Sequence, residues 1–160
     1  MSFSTSAEHE ATRDAVRDFA ENEVRPIARE HDEKHRYPRD LIREGARYDL
    51  VAPGLPTQYG GGGMDRVGSA IVVEELWRGD PGVGGAIALA SFGADMIVKY
   101  GSEEMKEHWL PKIAEGEAIC ATAISEPGAG SDIAGMETTA EKDGDDWVLN
   151  GNKMWISNGT

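Results

Sequence analysis

Between positions 120 and 160 this chain gathers the residue types that can do chemistry, above all in Ser125-Glu126-Pro127-Gly128-Ala129-Gly130-Ser131-Asp132. Gly128 and Gly130 reach backbone conformations closed to other residues. The chain can therefore approach a ligand closely there and aim successive N–H groups at an anion. Ser131 adds a hydroxyl, and Asp132 is placed to cap a short helical turn. Pro127 biases Glu126 towards extended geometry and ends the run before it. A loop of this kind suits a phosphate or pyrophosphate. An ordinary turn draws on the same residues, and neither the G-x-G-x-x-G nor the G-x-x-x-x-G-K spacing is present. On shape alone both readings stand.

Other chemistry finds little support. A single cysteine, Cys120, excludes an intramolecular disulfide and any multi-cysteine metal site. It lies in an apolar pattern, which reads as a buried thiol rather than a nucleophile. His9, His31, His35 and His108 share no ligand spacing, and the pair four apart fits polar positions on a helix surface. Sixteen basic against twenty-nine acidic residues give a formal charge of −13, which argues against a nucleic-acid surface and against attraction to anionic lipid. The acids are spread along the chain. That pattern fits a salt-adapted, halophilic surface or an ordinary acidic enzyme. Any anionic substrate must be drawn in by local groups against the net field. An apolar content of 39% is enough for a core. No apolar run approaches the roughly 20 residues that span a bilayer, and the first residues lack a signal peptide's basic and apolar regions. The expectation is a soluble cytoplasmic protein.

The elements that must position the loop are mostly helical. Residues 7–31 read as one long amphipathic helix with Ala7, Ala11, Ala15, Phe19, Val24 and Ile27 on one stripe, Ser6 as cap and a kink at Pro26. A shorter helix starts at Tyr37-Pro38 and runs to about Arg47. Residues 51–63, with two prolines and five glycines, must be loop, and its Gly60 to Gly63 run reads as a flexible connection. Helices follow over 64–79 and over 83–100. The second is rich in small residues, which permit close helix packing or leave room for a ligand. Ser102 caps a further helix with Met105, Trp109 and Ile113 facing inward and Pro111 dividing it.

After Gly116-Glu117 the pattern changes to strands, expected at 119–125, 138–142, 147–150 and 153–157. Asp143-Gly144-Asp145-Asp146 is a turn sequence, and Asn150-Gly151 is a tight-hairpin signal. The predicted fold class is α+β. An N-terminal all-α helical bundle over 1–117 is followed by the first strands of an incomplete β domain over 118–160.

The order of residues is more specific than their shape. Ala121-Thr122-Ala123-Ile124-Ser125-Glu126-Pro127-Gly128-Ala129-Gly130-Ser131-Asp132, followed by Lys153-Met154-Trp155-Ile156-Ser157-Asn158-Gly159, resembles the flavin-binding signature of the acyl-CoA dehydrogenases. The likeness continues upstream through Tyr100-Gly101-Ser102-Glu103-Glu104, Leu110 to Glu117, and Pro56-Thr57-Gln58-Tyr59-Gly60-Gly61. It covers essentially the whole chain in the family's order.

The resemblance implies FAD as cofactor, an acyl-CoA thioester as substrate, an electron-transferring flavoprotein as acceptor and a homo-oligomer at full length. Thr122, Ile124 and Ser125 match residues along the flavin's pyrimidine and ribityl side. Gly130 and Ser131 match the turn near the pyrophosphate, and Ser131 also matches a residue on the thioester side of CoA. Trp155, Ile156 and Ser157 match the second flavin segment, with Trp155 stacked on the ring and Ser157 bonding near N5. Thr122 stands where the family often has an aromatic, and Ser125 and Ser157 stand where threonine is common. The hydroxyls are kept. Tyr59 is a candidate lining residue of the acyl pocket, and the acyl chain passes near the helix over 83–100.

The family's catalytic glutamate comes from a third domain, so no residue here is assigned as base. Glu126 matches a structural turn residue. Family members are more than twice this length, so the expectation is an N-terminal portion that is inactive alone. An acyl-CoA oxidase-like relative, or a helical binding and assembly module with a vestigial loop, are the alternatives.

Overall fold

Ser6 starts the first helix as its sequence position suggests. Its hydroxyl accepts from the His9 N–H at 3.2 Å, and His9 Nδ1 accepts in return from the Ser6 N–H at 3.3 Å, closing a capping box. The computed structural model describes residues 5–159, which divide into two units, one ending at Cys120 and one beginning at Ala121. The first is helical: α1 (Ala7–Phe19), α2 (Arg25–Glu33), α3 (Arg39–Ala46), α4 (Arg66–Gly79), α5 (Val83–Ala88), α6 (Ala94–Tyr100) and α7 (Glu103–Ala114). The second holds β1 (Thr139–Asp143) and β2 (Asp146–Asn150), paired antiparallel with Asp143 opposite Asp146 and Thr139 opposite Asn150.

Proline and glycine explain where the elements depart from the expected ones. Pro26 does not break the first helical run. Between α1 and α2 the chain widens into a π turn (Ala20–Val24), with the Arg25 N–H bonded to the Ala20 carbonyl. Pro26 has no N–H to give and its ring crowds the carbonyl four residues back, so a wider turn accommodates it. The helix expected over 83–100 is two helices. Gly93, at φ 102°, breaks the run between α5 and α6 in the left-handed region that glycine enters freely. By contrast α7 runs unbroken through Pro111. Ser102 caps it by accepting from the Met105 N–H at 3.2 Å. Met105 and Trp109 do not face inward: each stays about half exposed, and of the three expected core residues only Ile113 is buried.

Two apolar clusters fill the helical unit. Val16, Phe19, Val24, Ile42, Val72, Leu76 and Ile87 lead the first, and Leu55, Tyr59, Ala94, Leu110 and Ile113 lead the second. Tyr59 is buried in the second cluster, and its hydroxyl donates to Glu103 Oε2 at 3.2 Å. The glycine run after it is a bonded loop instead of a slack one. The Gly61, Gly62, Gly63 and Met64 amides donate to the carbonyls of Pro56, Ala52, Leu55 and Pro53. A Cβ on Gly61 would meet Leu55 at 2.4 Å, which is why four small residues stand there.

Two of the four expected strands form. Residues 119–125 and 153–157 are irregular, because neither meets a partner strand that completes a ladder among the described residues. The hairpin turns at Gly144-Asp145, with Gly144 at φ 61°, and not at Asn150-Gly151. No helix among the described residues is long and apolar enough to cross a membrane, and no cluster of His, Cys, Asp or Glu among them could hold a metal ion.

Candidate flavin-contacting site

The glycine-rich loop begins with a closed turn. The Glu126 N–H donates to the Ala129 carbonyl at 2.9 Å and the Ala129 N–H returns the bond at 3.1 Å. Pro127 and Gly128 sit at the two corner positions, the first preset by its ring. Nothing lies within 4 Å of a Cβ built on Gly128 or Gly130, so both backbones face open space. Ser131 is exposed beside them. Asp132 precedes a short 3-10 turn (Ile133–Gly135), but its side chain makes no capping bond to that turn.

The second segment lies against the first. The Met154 N–H donates to the Ser125 carbonyl at 3.0 Å, and Lys153 Nζ donates to the Ile124 carbonyl at 3.0 Å. Thr122, Ile124, Ser125 and Ile156 are half-buried, while Gly130, Ser131, Trp155 and Ser157 are exposed. The structure thus brings Ile124 and Ser125 together with the segment carrying Trp155, Ile156 and Ser157.

Trp155 departs most from ordinary packing. It is 84% exposed, so it is not a core aromatic of this unit. Its backbone sits at φ 59°, a left-handed conformation that bulky residues avoid and that costs on the order of 1–3 kcal/mol. An exposed indole on strained backbone is a feature that packing in this unit does not explain.

Sequence reasoning missed the group that ties the two segments. Glu126 is 7% exposed. Its carboxylate accepts from the Glu137 N–H at 2.7 Å, the Thr138 N–H at 3.0 Å and Lys153 Nζ at 2.7 Å. The Lys153 ammonium above all, with the nearby Thr138 and the Glu137 amide, pulls the Glu126 carboxyl down to about 2. The Thr138 hydroxyl is buried near that carboxylate but makes no bond of good geometry, so the two amides and Lys153 are the partners that count. A carboxylate held so low and so fully bonded is a poor proton acceptor near neutral pH, which separates Glu126 from any role as base. Glu126 and Lys153 are 27 positions apart, and their opposite charges were the one signal that could have joined them.

Both units of the chain match known proteins. Residues 6–117 match the family described as acyl-CoA dehydrogenase, N-terminal domain, and residues 121–160 match acyl-CoA dehydrogenase, middle domain. The chain is 41% identical over 157 residues to the Mycobacterium tuberculosis protein named probable acyl-CoA dehydrogenase FadE25, covering 98% of this chain and 40% of that one. It is 39% identical over 151 residues to the human mitochondrial short-chain specific acyl-CoA dehydrogenase, covering 94% and 37%. A glutaryl-CoA dehydrogenase from Mycobacterium smegmatis, solved in complex with FADH2, superposes with TM-score 0.89 at 35% identity, over 97% of this chain and 40% of that one. The chain therefore spans about 40% of the length of these relatives. With both of its units matched in order, this chain belongs to the acyl-CoA dehydrogenase family.

Proposed function

We propose that the chain serves FAD-dependent α,β-dehydrogenation of acyl-CoA thioesters, contributing a helical part (residues 1–117) and one half of the flavin site (residues 118–160). The exposed, strained Trp155 beside the Ser125–Met154 junction carries this reading. The residues present fit the group. Gly128 and Gly130 leave their backbone open to a pyrophosphate, Ser131 supplies a hydroxyl, and the indole offers a flat apolar face to an isoalloxazine ring. Bound there, FAD would take the β-hydrogen as hydride. The chain's own work is to hold and orient. Thr122, Ile124 and Ser125 line one side, Gly130 and Ser131 hold the phosphate end, and Trp155, Ile156 and Ser157 line the ring. Ser131 would also meet the thioester end of the substrate. The α-proton base is assigned outside these residues, since Glu126 is spent on structure. The spread acidic charge supports a salt-rich cytoplasmic setting.

The experiment is a visible absorbance titration of the 160-residue chain with FAD, at low and high salt. The expected result is a bound-flavin spectrum, with affinity falling about tenfold or more in Trp155→Ala, since base–aromatic stacking of this kind is worth roughly 1–3 kcal/mol. A folded chain that leaves the FAD spectrum unchanged refutes the half-site.

The electron acceptor in this reading is an electron-transferring flavoprotein. A groove of about 540 Å³ in the helical unit, lined by Val16, Phe19, Tyr48, Leu50 and Met64 beneath Asp18, Glu23 and Asp49, supports such a partner. An apolar floor under carboxylates suits an apolar side chain flanked by basic residues. Tyr48 is 59% exposed and its ring centroid lies 5.7 Å from that of core Phe19, so the Tyr48→Glu chain is first checked for an unchanged unfolding midpoint. Binding of an electron-transferring flavoprotein, followed by calorimetry, is expected to weaken about tenfold in that variant. Unchanged affinity would mean the partner docks elsewhere.

A further inference from the structure

We propose that Glu126 and Lys153 are positioning residues of the flavin half-site. In this inference, which rests on the flavin reading above, their partly buried ion pair sets the register of residues 153–157 against residues 122–126. Neither segment is a strand, so no continuous ladder fixes how one lies along the other. A side-chain anchor must supply what a ladder would. Lys153 does so from one atom: its Nζ reaches the Ile124 carbonyl at 3.0 Å, Glu126 Oε1 at 2.7 Å and Met136 Sδ at 3.4 Å.

Glu126 is itself immobilised. The Glu137 and Thr138 amides hold its two oxygens separately, Oε2 at 2.7 Å and Oε1 at 3.0 Å, and its own backbone closes the Glu126–Ala129 turn. The carboxylate therefore ties three stretches: the glycine-rich turn, the chain entering β1, and the Lys153 segment. The Met154 N–H to Ser125 carbonyl bond sits one residue from the pair on each side. Trp155 and Ser157 follow within four positions of Lys153. A shift of one residue in this register moves Trp155 and Ser157 along the segment that carries Ser125. Charge-assisted bonds at such distances are short and directional, which suits them to fixing register rather than adding bulk stability.

The pair is thus distinct in role from the residues that would touch the flavin. It acts through them. Arginine keeps the positive charge but spreads its donors over a planar fork, so Lys153→Arg is expected to restore the tie in part and Lys153→Met not at all.

The test uses the 160-residue chain and its Lys153→Met, Glu126→Gln and Lys153→Arg variants, with two readouts. Hydrogen exchange of the Met154 amide reports the register without any cofactor. It is expected to quicken tenfold or more in Lys153→Met and Glu126→Gln, to slow again in part in Lys153→Arg, and to leave the helical-unit amides unchanged, since bonds to charged groups are worth about 1.5–3 kcal/mol. FAD titration reports the consequence, with affinity falling at least about tenfold in Lys153→Met and recovering in part in Lys153→Arg. A wild-type chain that takes up no FAD overturns the flavin reading on which the inference rests. A wild-type chain that binds FAD, beside a Lys153→Met chain that binds it equally or protects Met154 equally, overturns the inference alone. So does a Lys153→Arg chain that does no better than Lys153→Met in both readouts.

Discussion

Gly84→Ala is expected to destabilise the helical unit by about 3 kcal/mol or more, a fall of roughly 10 °C in the unfolding midpoint. A Cβ at this position would lie 2.1 Å from the Leu76 carbonyl oxygen and 2.6 Å from its carbon. Those atoms belong to the backbone of α4, whose Leu76 carbonyl already accepts from the Asp80 N–H at 3.2 Å. Neither helix can yield without opening the first core cluster, where Leu76, Val83 and Ile87 pack together. Gly85→Ala is the control. Its Cβ meets nothing nearer than the Trp77 indole nitrogen at 3.6 Å, an ordinary contact. Alanine's better helix propensity then makes that change neutral or mildly stabilising, by up to about 1 kcal/mol. Thermal unfolding followed by circular dichroism separates the two. Equal midpoints would refute the claim that α4 and α5 touch through their backbones.

Replacing Arg13 and Arg17 together by methionine is expected to destabilise the helical unit at neutral pH and to reverse the sign of the Glu75 contribution to its pH dependence. Glu75 is 1% exposed. Its carboxylate takes Arg13 Nη1 at 2.7 Å, Arg17 Nη2 at 2.8 Å and Arg17 Nε at 3.0 Å. Arg17 first, and then Arg13, hold its carboxyl below the usual carboxylate range against the opposing effect of burial. In the native chain the stability from Glu75 is therefore full above the unfolded carboxylate pKa and lost as pH falls through the lower folded one. Only Arg78 Nε, 4.0 Å from Glu75, then remains beside the carboxylate. Burial therefore prevails, the folded carboxyl moves above the unfolded value of about 4.3, and Glu75 turns from stabilising to destabilising as pH rises from about 4 to 7. Urea unfolding of variant and native chain at pH 4 and pH 7 checks the sign as a difference, because other carboxylates such as Glu126 and Glu21 keep their own pH dependence. A loss of stability no larger at pH 7 than at pH 4 would refute the claim.

How far these features were legible beforehand differs by type. Caps were local and readable: Ser6 and Ser102 each bond the amide three residues on. The order of helices followed by strands was equally plain, because apolar spacing and turn residues act over a few positions. Glu75 was not. It occupies the stripe of a helix whose other inward residues are apolar, and only the packing of α1 on α4 tells that two arginines await it. Met105 and Trp109 misled for the same reason, since spacing names a face but not what lies opposite it.

The sequence by itself determined the family, the α+β order, the capped helices and the two segments proposed for the flavin. Each depends on residue identity at short range, where backbone chemistry and side-chain pattern speak directly. Tertiary structure alone decided the Glu126–Lys153 tie, the left-handed, exposed Trp155 and the backbone contact at Gly84. Each of these arises from groups distant in the chain or from a dihedral angle that residue type does not specify. A carboxylate chooses its partner among all the cations that folding brings near, and no spacing rule spans the 27 residues between Glu126 and Lys153.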